Sequence, residues 1–221
     1  MAIGVVVGLA MEARIARPFG AMLAIGGGTS EGAETAAESL AAGGVTALVS
    51  FGLAGGLDPR LKPGDCVVPR MVRAVGQNWH TDPALSQLLG GVTADVLLGE
   101  SRVAAGAETK RQLWRTTGAV AVDLESGAVA QAAERHGIAF AVLRVICDPA
   151  DLSLPSASLA MLDARGKLRL SRLFGALARH PLQMWALVAL GRDAALACRA
   201  LNERARAIGA LGPSPVHGDI S

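Results

Sequence analysis

A chain of 221 residues that is 51% hydrophobic and 18% charged can bury one sizeable core and carries too little charge to stay unfolded, so disorder is excluded and residues 1–221 read as one domain. Aromatics make up 3% and tyrosine is absent; with so little stacking surface, nucleic acid is not an expected partner. The net charge of +2 is uneven, because residues 163–206 hold nine Lys or Arg against three Asp or Glu, and this C-terminal third is expected to face an anionic membrane surface or a phosphorylated partner.

In chain order, residues 3–7 form a short apolar run that reads as a first strand buried on both faces, not as a signal peptide. Residues 30–40, rich in Ala and Glu, read as a helix entered through the glycines at 26–28. Residues 45–50 are a second core strand, closed by a glycine-rich turn at 52–56. Residues 66–68 follow the turn signal Pro63-Gly64-Asp65 as a third strand.

Residues 78–83 read as a loop, 109–116 as a helix, 120–123 as a strand and 126–136 as a helix with Gly137 at its C-cap. The last clear strand, 140–146, stops at Asp148-Pro149. This alternation implies a three-layer α/β fold. The rest is expected to be helical in two pieces broken at His180-Pro181. In the first, Leu170, Leu173, Phe174 and Leu177 oppose Arg165, Arg169, Arg172 and Arg179, which suits a solvated face or a membrane surface equally. Residues 182–190, around Trp185, read as a buried segment, and no apolar stretch reaches the ~18 residues of a membrane span.

Cys66, Cys147 and Cys198 are odd in number and far apart, which fits neither a disulfide framework nor a paired metal site and suggests a reducing cytoplasm. His80, His136, His180 and His217 lack metal-ligand spacing, so no metal site is expected.

Four segments carry the chemistry. Gly-Leu-Ala-Met-Glu-Ala-Arg at 8–14 and Gly-Leu-Ala-Gly-Gly-Leu at 52–57 each follow a strand. Val-Asp-Leu-Glu-Ser at 122–126 precedes a helix, and Arg-Val-Ile-Cys-Asp-Pro-Ala-Asp at 144–151 follows the last strand. Loops after strand ends are where α/β sheets bind ligands, so the four can share one crevice.

These segments resemble the purine nucleoside phosphorylase and methylthioadenosine/S-adenosylhomocysteine nucleosidase family, and most of all its hopanoid-associated phosphorylases. The resemblance implies a three-layer α/β/α fold with a central mixed, twisted sheet. It also implies a homo-oligomeric pentosyltransferase without cofactor that uses phosphate to release adenine from a 5′-substituted adenosine such as adenosylhopane. Such an enzyme would be cytoplasmic, with the basic C-terminal helices touching the inner membrane.

On that resemblance Asp148 is the acid that shares a proton with the purine; by position alone it starts a turn. Glu125 would bind the ribose 2′- and 3′-hydroxyls, with Leu124 beside the sugar and Asp123 in place of a family glutamate; Asp123 and Glu125 could instead be ordinary acids near a helix N-terminus. Arg14 stands where the hydrolytic members carry a water-activating glutamate, and a guanidinium there suits phosphate instead. Otherwise Arg14 is a surface residue paired with Glu12.

The amides of Gly52, Leu53, Ala54 and Gly55 would complete an anion nest. Leu53 replaces a serine of the family, which leaves Ser50 or Thr29 as the nearby hydroxyls. Cys147 also replaces a serine and, with Trp79 and His80, is expected to border the base and substituent pocket.

A dinucleotide oxidoreductase is excluded: Gly26, Gly28 and Gly32 miss the fingerprint at Glu31, and Ser50 ends the strand where an acidic residue is needed. A hydrolytic nucleosidase and a non-catalytic nucleoside-binding protein remain open.

Overall fold

The computed structural model describes residues 2–100, 104, 106–152 and 184–211, with side chains of the last segment described from 191 to 210. The basic amphipathic segment expected at 163–180 lies outside the described residues, as does the break at His180-Pro181.

Among the described residues nine strands form one mixed sheet: β1 (Ile3–Val7), β2 (Met22–Ile25), β3 (Ala47–Gly56), β4 (Cys66–Val67), β5 (Pro69–Ala74), β6 (Gln77–His80), β7 (Ala94–Gly99), β8 (Ala121–Asp123) and β9 (Ala139–Asp148). The path runs β2-β1-β3-β8-β7-β5-β6, while β9 joins β3 and β4. Pairs β1–β2, β1–β3, β3–β9, β5–β7 and β7–β8 are parallel; β3–β8, β4–β9 and β5–β6 are antiparallel. Along β1, Val6 joins one core cluster and its neighbours Val5 and Val7 the other, the period-2 alternation of a strand covered on both faces.

One face is covered by α2 (Ser30–Ala42) and α5 (Ser126–His136). Small side chains make the contact: Ala33, Ala36 and Ala37 from α2, and Ala128, Val129, Ala132 and Ala133 from α5. Thr29 caps α2 by accepting a hydrogen bond from the Gly32 amide at 3.1 Å, and Gly137, at φ 62°, ends α5 where the sequence places a C-cap.

The other face is covered by α1 (Ala10–Ala16), α3 (Pro83–Leu88) and α6 (Met184–Leu211). Ala197, Leu201, Ala205 and Ile208 recur at helical spacing and are all buried in the second cluster. Residues 184–211 are therefore one continuous helix seated on the sheet, which makes this the third layer. Among the described residues no helix is long and apolar enough to cross a membrane. A further helix, α4 (Ala107–Thr117), packs Leu113 and Trp114 on a smaller cluster around Leu57, Val96 and Leu98.

Two expectations are corrected. Residues 78–83 are not a loop but the edge strand β6 running into α3. Residues 52–56 are not a turn but the end of β3, because β9 pairs with them on one side and β8 reaches Gly55 and Gly56. Near that end β9 bulges: Ala54 faces Ile146, whereas Gly55 faces Asp148, leaving Cys147 as the extra residue.

Candidate active site

Arg144 lies at the centre of a buried polar cluster at the ends of β1, β3, β8 and β9. It is 1% exposed. Its Nη2 donates to Ser50 Oγ at 2.7 Å and stands 2.8 Å from Glu125 Oε2, and its Nε lies 2.6 Å from Asp123 Oδ2. Asp123 also organises the start of α5: its Oδ1 accepts from the amides of Glu125 and Ser126 at 3.2 and 3.0 Å, and its Oδ2 accepts from the Ser126 hydroxyl.

Glu12 enters the same cluster from α1. Its Oε2 accepts from the Leu9 amide at 2.8 Å and its Oε1 from the Leu53 amide at 2.9 Å. Glycines make room for these groups. A Cβ on Gly8 would stand 2.3 Å from Glu125 Oε1, and one on Gly52 would stand 2.5 Å from Glu12 Oε1 and 2.6 Å from Arg144 Nη1.

Three buried carboxyls thus surround one guanidinium. Burial raises Glu12, with Arg144 and the amide bonds opposing it. Burial pushes Glu125 up to about 7, opposed by Arg144 and reinforced by the charges of Asp123 and Glu12. Burial works against the charge of Arg144, yet Asp123, Glu125 and Glu12 leave it above the usual arginine value.

Asp148 lies beside this cluster, at the bulge. A Cβ on Gly55 would stand 3.3 Å from both its carboxylate oxygens. Oδ2 receives the ammonium group of Lys110 at 2.5 Å, and Oδ1 the thiol of Cys147 at 3.2 Å. Burial raises the Asp148 carboxyl, while Lys110 and Cys147 pull it back. Burial and the adjacent Asp148 push the Cys147 thiol well up, which suits a hydrogen-bond donor rather than a nucleophile.

The family model of the phosphorylase superfamily matches residues 20–178. The chain belongs to the phosphorylase superfamily. Among curated proteins no sequence matches it. Solved structures of similar fold include the 5′-methylthioadenosine/S-adenosylhomocysteine nucleosidase of Helicobacter pylori, 18% identical over 92% of this chain and 97% of that one, TM-score 0.65. The nucleosidase of Neisseria meningitidis is 17% identical over 93% and 98%, TM-score 0.65. The futalosine hydrolase of Helicobacter pylori is 17% identical over 92% and 97%, TM-score 0.64.

In this superfamily member the fold brings together Asp148, Asp123, Glu125, Cys147, Gly52, Leu53 and Gly55. Ala54 belongs to the core, opposite Ile146. Leu124 lines a cleft of about 570 Å³ with Trp79, Glu100 and Gln131. Trp79 donates its indole N–H to Glu134 at 2.8 Å, and His80 is exposed on the edge strand; neither reaches Asp148. Arg14 is exposed and, among the described residues, has no ion pair; it does not pair with Glu12.

Glu12, Arg144 and Lys110 are the residues that sequence reasoning misses. Positions 12 and 14 are about 200° apart around a helix, so only one of the two can face the sheet. Lys110 begins the stripe Lys110, Leu113, Trp114, Thr117 at i, i+3, i+4 and i+7, a cation in a core position. An arginine in the apolar run of β9 is a comparable signal.

Proposed function

We propose that the chain hydrolyses the N-glycosidic bond of a 5′-substituted purine ribonucleoside. Asp148 donates its proton to the purine as the bond to the anomeric carbon breaks and the bonding pair leaves with the base. Glu125 accepts hydrogen bonds from the ribose hydroxyls. Glu12 takes a proton from the water that attacks the anomeric carbon, beside Arg144, and the products are free purine and free sugar.

The observation that carries this reading is the Glu12 carboxylate, held by the Leu9 and Leu53 amides and facing the buried Arg144. Three carboxyls, those of Glu12, Asp123 and Glu125, surround the guanidinium of Arg144, a balance that favours a neutral nucleophile over an anion. The fold neighbours named as nucleosidases and hydrolase support the same choice.

Phosphorolysis is the second reading, favoured by the name of the superfamily; phosphate would be its co-substrate and Arg14 its anion-binding residue. The experiment is adenine release from methylthioadenosine and from adenosylhopane, with and without phosphate. Equal release and a free sugar support hydrolysis. Phosphate-dependent release with a ribose 1-phosphate product overturns it, and no release from either substrate favours a binding protein.

A further inference from the structure

Lys110 is fully buried, and its ammonium group has three acceptors: Asp148 Oδ2 at 2.5 Å, the Pro149 carbonyl at 2.8 Å and the Leu152 carbonyl at 3.2 Å. Three donors meet three acceptors, and Asp148 is the only acceptor that can take up a negative charge. An unpaired buried ammonium is costly, so this lysine is in place for Asp148.

We propose that Lys110 is a positioning residue for glycosidic cleavage, fixing one oxygen of Asp148 and stabilising the carboxylate that forms as its proton passes to the departing base. The inference rests on the role given to Asp148 above. An acid in this place has two opposed requirements. It must hold its proton until substrate arrives, which burial favours, and it must release that proton in the transition state, which a fixed cation favours. Lys110 acts on the second, because its attraction to Asp148 grows as negative charge develops there.

The groups facing Asp148 are few. Lys110 comes from α4 and Cys147 from β9; β3 presents Gly55, which carries no charge; Glu12 of α1 acts on Cys147. Lys110 is thus the one cation acting on Asp148 among the described residues.

The test compares Lys110→Met with the unaltered protein on methylthioadenosine across pH, and on 4-nitrophenyl riboside, whose nitrophenolate leaves without a proton. The expected result is at least a tenfold loss of kcat on the nucleoside at neutral pH and less than threefold on the nitrophenyl substrate. The high-pH limb, where Asp148 loses its proton, is expected to move up by about one pH unit. Lys110→Gln, which keeps a donor without charge, makes the same comparison if the methionine variant does not fold. Equal losses on both substrates, an unmoved limb, or failure of both variants to fold would overturn the proposal. An active Asp148→Asn variant would instead overturn the reading on which it rests.

Discussion

Glu12 accepts the Leu53 amide at 2.9 Å, and this hydrogen bond ties α1 to β3 just past the point where β1 ends opposite Phe51. The amide expected to greet an anion is already satisfied by a carboxylate. Its neighbours Gly52, Ala54 and Gly55 pair with β9 on one side of the strand. Arg14, two residues on, points to solvent.

Replacement of Glu12 separates the two nucleophiles. Glu12→Gln keeps an acceptor for Leu53 but removes the base, and kcat is expected to fall by about 100-fold or more. Arg14→Ala, an exposed change, is expected to alter kcat by less than about twofold and stability by under ~0.5 kcal/mol. Steady-state kinetics with and without phosphate makes the comparison; the reverse ranking in the presence of phosphate would reinstate an anion at Arg14.

Arg144 is the only guanidinium among the described residues of the carboxylate cluster. Arg144→Met leaves Asp123 and Glu125 buried beside each other without their cation, and is expected to destabilise the fold by about 3–5 kcal/mol in urea unfolding at neutral pH. A loss below ~1 kcal/mol would mean that the carboxyls are protonated or reach water.

The apolar runs of β1, β3 and β9 and the alanine-rich faces of α2 and α5 are legible in the sequence because they are buried along their length. β2 is not, since Met22 and Ile25 lie half exposed at the sheet edge. The β5–β6 hairpin turns at Val75-Gly76, both at positive φ, and a valine there is not a recognisable turn signal. Glycines 52, 55 and 56 read as a turn because glycine usually marks one, whereas here Gly52 and Gly55 clear space for Glu12, Arg144 and Asp148. The four motifs locate the site, but Lys110 reaches it from an element distant in sequence, and no local pattern shows which strand end it meets.

Stability is expected to fall as pH rises from about 4.5 to 7. Glu125 is at about 7 in the folded protein against 4.5 as its reference, so the folded state binds the proton more tightly across that window. The contribution is fully present below 4.5 and lost through about 7, on the order of 3 kcal/mol. Glu12 and Asp148, also raised, act in the same direction. Urea midpoints at pH 5 and pH 8 check this; a midpoint higher at pH 8 would contradict it.

Gly8→Ala tests the ribose grip without replacing a charged group. The added methyl would stand 2.3 Å from Glu125 Oε1 and 3.2 Å from Glu12 Oε2, so the Glu125 carboxylate must shift against Arg144, which holds its other oxygen. The end of a side chain moves more easily than backbone, and the cost in stability is expected to be about 1–3 kcal/mol. KM for the nucleoside is expected to rise at least tenfold. Gly191→Ala, on α6 with nothing among the described residues within 4 Å of the new methyl, is the control and should leave KM unchanged. If Gly8→Ala folds and binds nucleoside as well as the unaltered protein, Glu125 does not hold the sugar.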